Sequence, residues 1–176
     1  MKRGLFVGRF QPFHNGHLKV VKDLLQRVDE LIIAVGSSQY SHEASNPFTA
    51  GERMIMIRKA LEVEKISPSK FWITPIPDLN VHMLWVAQVV GYTPKFDVVF
   101  TNEPLTRRLF IEAGYRVESI PYYKRDIYSA TEIRRRILKG EPWEDLVPKP
   151  VMETIIEIGG VERIRQLAES DKPTRS

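Results

Sequence analysis

The stretch VGRFQPFHNGH, Val7 to His17, carries two of the chain's four histidines, three residues apart, behind a glycine, an arginine and a proline. It follows the short apolar run Leu5–Val7 and precedes a segment with helical spacing, so it reads as the place where a first strand gives way to a helix. Similar runs rich in valine and isoleucine recur at Leu31–Val35, Phe71–Thr74, Val98–Thr101 and Val117–Ile120, each followed by a longer amphipathic or polar segment. That alternation predicts an α/β fold with a parallel sheet flanked by helices. In an open parallel sheet, ligands sit beyond the carboxyl ends of the strands, which makes the first strand-to-helix loop the first place to look for function.

The loop is not one of the common glycine-rich phosphate loops. Neither G-x-G-x-x-G nor G-x-x-x-x-G-K-[ST] occurs, which weighs against a hydride-transferring dinucleotide enzyme and a P-loop kinase. Gly8 gives the backbone room to turn, Pro12 stiffens the loop, and Gly16 suits close passage beside a ligand before a helix starting near His17. The free amides and positive dipole end of that helix form an anion site. His14 and His17, three apart, project to one side of it, and Arg9 adds a planar cation suited to phosphate. Two bland readings compete. The histidines could form a metal pair, although no third ligand is near in sequence, or they could be solvated surface residues.

A second constellation, YSATEIRRR, spans Tyr128 to Arg136. Ser129 with Glu132 matches a capping box, and Ile133 with Ile137 supplies an apolar stripe, so part of this stretch serves only to start a helix. Thr131, Arg134 and Arg135 fall on a different face from the isoleucines. Three successive arginines fan over roughly 200° of helix and cannot all reach one ligand. Arg134, one turn after Thr131, is the one expected to do so, with one or two of the others solvated or bound to carboxylates. Two positive helix starts together suit a polyphosphate, and hence a nucleoside triphosphate, better than a single phosphate.

Elsewhere, Thr49 with Glu52 fits a capping box, Asn80 is placed to cap the segment containing Trp85, and Asn102 precedes Glu103-Pro104 at another helix start. Gly91, Gly114 and Gly140 stand where helix ends are expected. Ser37–Pro47 lacks periodicity and reads as an exposed loop. Residues 1–140 read as the α/β core, 141–170 as a small helical C-terminal appendage of the same domain, and 171–176 as a polar tail. The apolar segment Val151–Ile158 could cover the sheet or form a subunit contact.

Composition narrows the function classes. At 176 residues and 43% hydrophobic content, the chain suits one well-packed domain. Its 26 basic against 22 acidic residues give a net charge of +4, a modest excess spread along the chain that fits a phosphate-bearing small molecule at least as well as nucleic acid. Interleaved aromatics, a zinc motif and an RNA-binding signature are missing, so nucleic acid is not the expected partner. Cysteine is absent, which removes disulfide and thiolate chemistry. No apolar run approaches the roughly 20 residues that cross a bilayer, so a cytoplasmic protein without a membrane partner is expected.

HNGH at 14–17 with YSATEIR at 128–134 resembles the H-x-G-H and I-S-x-T-x-x-R pair of the nucleotidyltransferase superfamily. GRFQPFHNGH, NPFTAGER and YSATEIRRR, in this order, are similar to the archaeal-type nicotinamide-mononucleotide adenylyltransferases. The resemblance covers about Gly4 to Leu167. It implies a Rossmann-like nucleotidyltransferase fold, transfer of AMP from ATP to nicotinamide mononucleotide to give NAD and pyrophosphate, and a divalent cation, usually Mg2+, held mainly through substrate phosphates. It also implies a homo-oligomer, often a hexamer. By the same correspondence His14, His17 and Arg134 are the catalytic residues, and Gly8, Arg9, Phe10, Ser129 and Thr131 bind ATP. Asp78, Leu79, His82 and Trp85 fall to the acceptor, while no protein metal ligand is identified. Trp85 either stacks on the nicotinamide ring or packs in the core, and Asp78 either binds a ribose hydroxyl or begins a turn. Relatives of this type commonly carry asparagine at position 82, and a basic residue just before P-F-T-x-G-E-R where this chain has Ser45-Asn46. The alternatives are another phosphorylated acceptor, such as pantetheine phosphate or flavin mononucleotide, and a non-catalytic nucleotide-binding module.

Overall fold

In a computed structural model, which describes residues 1–169, five parallel strands form one sheet in the order β3-β2-β1-β4-β5. The strands are β1 (Arg3–Gly8), β2 (Glu30–Val35), β3 (Phe71–Pro75), β4 (Val98–Phe100) and β5 (Arg116–Glu118). All five lie where the apolar runs place them. Helices α1 (Asn15–Leu24), α2 (Ala50–Val63), α3 (Trp85–Tyr92), α4 (Pro104–Glu112) and α5 (Ala130–Lys139) alternate with or follow the strands, and α6 (Lys149–Glu157) and α7 (Gly160–Leu167) complete the described chain. The tail expected over 171–176 lies outside the described residues.

The period-two geometry of a strand divides the core between the two faces of the sheet. Phe6, Leu31, Ile33, Val35, Val98 and Phe100 point into one apolar cluster, which also takes Val20 and Val21 of α1, Ile57 of α2 and Ile133 and Ile137 of α5. Leu5, Ile32, Ala34 and Val99 point into the other, against Val89 of α3 and Phe110 of α4. Both faces are therefore covered, which explains why the central strands are apolar at nearly every position. Helix α6 packs on α2 and α7 on α5. Val151 and Ile155 are fully buried, so the Val151–Ile158 segment covers helix α2 from outside.

Several helix boundaries differ from the sequence expectation. The Thr49–Glu52 box forms with both bonds present. Helix α1 starts earlier than expected, at Asn15 with His14 as its cap, because a histidine nitrogen serves here as the capping acceptor. Asn80 caps nothing: Trp85 begins α3 after a 3-10 turn at His82–Leu84, and neither start carries a side-chain cap. At α4 the cap is Glu103, whose carboxylate accepts from the amides of Leu105 and Thr106, while Asn102 bridges to the backbone of Ile120 in both directions. Ser129 accepts from the amide of Glu132, but Glu132 turns instead to Arg135 and Arg136, so only half of that box forms. Gly91 lies inside α3, Gly114 follows α4, and Gly140 ends α5 at φ 71°, the left-handed geometry that glycine adopts without strain.

The Ser37–Pro47 loop is exposed through its middle and buried at both ends. Ser37 is held by Asp78 and Asn46 by Glu43. Among the described residues no helix is long and apolar enough to cross a membrane.

Candidate active site

Strand order reverses on either side of β1, and the carboxyl ends of β1 and β4 open onto a cavity of about 490 Å³. Its walls bring together residues from both ends of the sequence: Gly8, Arg9, Phe10, His14 and His17 from the first loop, and Ser129, Thr131 and Arg134 from the start of α5. A larger hollow of about 770 Å³ lies beside β3, lined by Met54, Ile55, Phe71 and Trp72 with few polar groups. Convergent polar groups mark the first as the functional one.

His14 and His17 cap their own helix. The amide of His17 donates to His14 Nδ1, and the amide of His14 donates to His17 Nδ1, both at 3.2 Å. Their rings stack with centroids 3.6 Å apart, and the ring of Phe10 meets His17 edge-on at 4.8 Å. This is a capping box built from two imidazoles. With each Nδ1 an acceptor, a neutral ring must carry its proton on Nε2, which is thereby left as a hydrogen-bond donor. The charge state agrees. Burial, and then the nearby Arg125, pull the His14 pKa down to about 3, and burial with the neighbouring His14 holds His17 well below the usual histidine range. Both rings are neutral donors at neutral pH.

Gly16 has a different reason from the one its sequence position suggests. A Cβ there would lie 2.9 Å from the His14 ring and 3.0 Å from Cβ of Tyr128, so the missing side chain lets the first turn of α1 pass beside its own cap and the loop before α5. The residue with left-handed backbone is Phe10, at φ 54°, rather than Gly8.

Arg134 is the arginine that faces the cavity. Its Nη1 donates to the carbonyl of Gln11 at 2.8 Å, and its Nη2 stands 3.5 Å from the Thr131 hydroxyl. Arg135 and Arg136 are occupied by Glu132, and Arg135 also by Glu141, so both pair with carboxylates as the helical geometry requires. Arg9 reaches Asn46 at 3.5 Å from the rim. The positive potential therefore comes from Arg9, Arg134 and Arg125, together with two helix starts. Arg125, Gln11 and the tyrosines at 122, 123 and 128 were not selected from the sequence. The basic-aromatic run YYKR ahead of YSATEIR is the signal that could have found them, with Lys19 lying over the rings of Tyr123 and Tyr128.

The proposed acceptor residues do not line this cavity. Both carboxylate oxygens of Asp78 accept from Ser37, one from its hydroxyl at 2.6 Å and one from its amide at 3.3 Å, so Asp78 ties the loop after β3 to the loop after β2. Trp85 is half-buried against the Leu5–Val99 side of the core, and Leu79 and His82 are exposed. Burial works to raise the Glu103 carboxyl at the cavity edge, but the bonds from Thr106 and Leu105 outweigh it and hold that carboxyl below its usual range, with a smaller contribution from nearby His82. Among the described residues no three histidine, aspartate or glutamate side chains gather to hold a metal ion.

Comparison with known proteins agrees with this architecture. Residues 5–136 match the cytidylyltransferase-like family model, a span that includes both cavity motifs. The nicotinamide-nucleotide adenylyltransferase of Pyrococcus furiosus is 56% identical over 96% of this chain and 90% of its own length. That of Thermoplasma acidophilum is 52% identical over 97% and 94%. The chain belongs to the nicotinamide-nucleotide adenylyltransferase family.

Nicotinamide-nucleotide adenylyltransferase relatives cover almost all of the chain, α6 and α7 included, whereas the cytidylyltransferase-like match ends within α5. The fold also matches a solved structure from Francisella tularensis, a bifunctional NMN adenylyltransferase/ADP ribose pyrophosphatase complexed with AMP and manganese ion. The TM-score is 0.78 at 24% identity, covering 94% of this chain and 51% of that one, so the chain spans about half the length of that protein.

Proposed function

We propose that this protein transfers AMP from ATP to nicotinamide mononucleotide, giving NAD and pyrophosphate. The observation that carries the reading is the convergence of the His14–His17 pair and Arg134 on one cavity between two helix N-termini. The acceptor's phosphate has a second pKa of about 6, so at neutral pH it is largely dianionic and nucleophilic without a protein base. An oxygen of that phosphate attacks the α-phosphorus of ATP in line. The new bond is O–Pα; the bond broken joins Pα to the bridging oxygen, whose electron pair leaves with pyrophosphate. No proton has to move in this step, so the residues act by holding the partners in line and by stabilising charge. His14 and His17 donate through Nε2 to the triphosphate, Arg134 neutralises the departing pyrophosphate, and Ser129, Thr131, Gly8, Arg9 and Phe10 complete the ATP contacts.

The cavity walls carry a single carboxylate, Glu103, whose oxygens accept from the amides of Leu105 and Thr106, unlike the donor set of a resident metal site. Mg2+ therefore enters as part of the ATP complex, held mainly by phosphate oxygens. The acceptor segment 78–85 lies outside the cavity walls, and Trp85 in it suits stacking on a pyridinium ring. Residues 1–140 serve as the catalytic core with 141–170 as its appendage, and the expected state is a cytoplasmic homo-oligomer, a hexamer, testable by sedimentation.

Purified protein with Mg2+, ATP and nicotinamide mononucleotide should release pyrophosphate and form NAD. Absence of both products sinks the reading. A panel with pantetheine phosphate, flavin mononucleotide and the deamidated mononucleotide, each with ATP and CTP, identifies the acceptor.

A further inference from the structure

The largest fully buried side chain is a cation without a directly bonded carboxylate. Arg53, in the second turn of α2, is 0% exposed, and its guanidinium is spent on main-chain carbonyls. Nε donates to Thr49 O at 3.2 Å, Nη1 to both Arg9 O and Gly36 O at 2.8 Å, and Nη2 to Ser37 O at 3.2 Å. Removing a cation from water is costly unless its protons are satisfied, and structures usually satisfy them with carboxylates. Here four carbonyl dipoles from three segments do so: the loop after β1, the loop after β2, and the start of α2.

Two of these segments carry non-glycine residues in left-handed backbone, Phe10 at φ 54° and Ser37 at φ 49°. Such geometry persists only where the surroundings hold it. Each residue is directly tied to a different part of the site. Phe10 follows the carbonyl that Arg53 grips and places its ring against His17. Ser37 offers its own carbonyl to Arg53 and uses its amide and hydroxyl to fix Asp78. We propose that Arg53 is a positioning residue that sets the spacing between the triphosphate loop after β1 and the acceptor-side loops after β2 and β3, acting through Arg9–Phe10 on one side and Ser37–Asp78 on the other. This assignment rests on reading the cavity as the adenylyl-transfer site.

Burial, and then the charge of Arg9, lower the Arg53 pKa to about 10 against the opposing pull of Asp78 and Glu52, so the group is charged at neutral pH. Lysine would keep the charge but not the planar fork, and one ammonium cannot meet four carbonyls arranged around a guanidinium.

The test compares R53K with V151A, a core truncation on the buried face of α6, by thermal unfolding and by full steady-state kinetics at a temperature where both are folded. R53K should lose about tenfold or more in kcat/KM for each substrate, whereas V151A should lose stability with kinetic constants within about twofold of wild type. S37A removes the shorter of the two bonds to Asp78, the hydroxyl bond at 2.6 Å, while leaving the amide bond and the carbonyl that Arg53 grips, and should raise the acceptor KM about fivefold while leaving the ATP KM within about twofold. R53K constants within about twofold of wild type, or losses no greater than those of V151A, overturn the proposal. If R53K does not fold, S37A decides, and an unchanged acceptor KM refutes the positioning role. If wild type forms no NAD, the activity reading fails separately. Calorimetric binding of ATP alone then tests Arg53, with about fivefold weaker binding in R53K expected and equal binding overturning it.

Discussion

The guanidinium of Arg134 donates to the carbonyl of Gln11 at 2.8 Å, joining residues 123 positions apart in the chain. Gln11 in turn is buried, its side-chain amide paired with the backbone of Phe48 in both directions. The arginine that faces the cavity is thus anchored to the loop that holds the histidines, and its remaining donors are aimed by that anchor.

R134K should therefore lose more than a charge-conserving change suggests. One ammonium cannot both hold Gln11 and meet a phosphate, and we expect kcat to fall about 100-fold, equivalent to about 3 kcal/mol of transition-state stabilisation. R135Q, whose parent side chain is engaged by Glu132 and Glu141, should keep kcat within about threefold. Steady-state kinetics of the two variants side by side provides the check. Equal losses would show that position along α5 does not select the functional arginine.

His17→Ala removes half of a helix cap and, with it, the proposed phosphate donor. Loss of the cap should cost about 1 kcal/mol of stability, readable as a lower midpoint in urea, while turnover falls about 100-fold or more in a protein that remains folded. Retained turnover would return the first loop to a binding role.

The same pair makes stability depend on pH with a definite sign. His14 titrates at about 3 in the fold against 6.5 when exposed, so between those values the unfolded chain binds more protons and stability rises with pH. The contribution is complete above about pH 6.5 and declines as pH falls toward 3, by about 2 kcal/mol at pH 5. His17 shifts in the same direction and adds to the slope. Urea midpoints measured at pH 7 and pH 5 test this, and a H14N variant should lose much of the difference. A slope that survives in H14N would assign it to other groups.

Gly16→Ala places a methyl 2.9 Å from the His14 ring and 3.0 Å from Tyr128. We expect a loss of about 1–3 kcal/mol and disordering of the cap, seen as broadened histidine ring signals by NMR, with activity falling alongside. A variant as stable and active as wild type would show that the contact relaxes freely.

Much of this architecture could be read from the chain because its signals are local. Strand positions follow from short runs of valine and isoleucine, and the choice of Arg134 over its neighbours follows from the 100° step of a helix. What escaped depends on partners distant in sequence. Asn102 looks like a helix cap until Ile120 stands beside it, and the carboxylate that displaces it, Glu103, is a less usual capping residue. The bonds by which Ser37, 41 residues away, ties Asp78 to the loop after β2 have no local signal either. The imidazole cap escaped because histidine is not among the preferred capping residues, although the spacing of His14 and His17 is that of a capping box.

An imidazole whose Nδ1 is tied to the backbone cannot swing to follow its ligand, nor relay a proton from one nitrogen to the other without unfastening a helix. His14 and His17 are therefore fixed, and in the proposed reaction the moving parts are the phosphates themselves. Under the proposed triphosphate contact, selectivity in this loop comes from how well a triphosphate can be folded to fit two stationary donors, a constraint that any tighter-binding nucleotide analogue would have to satisfy in its own conformation.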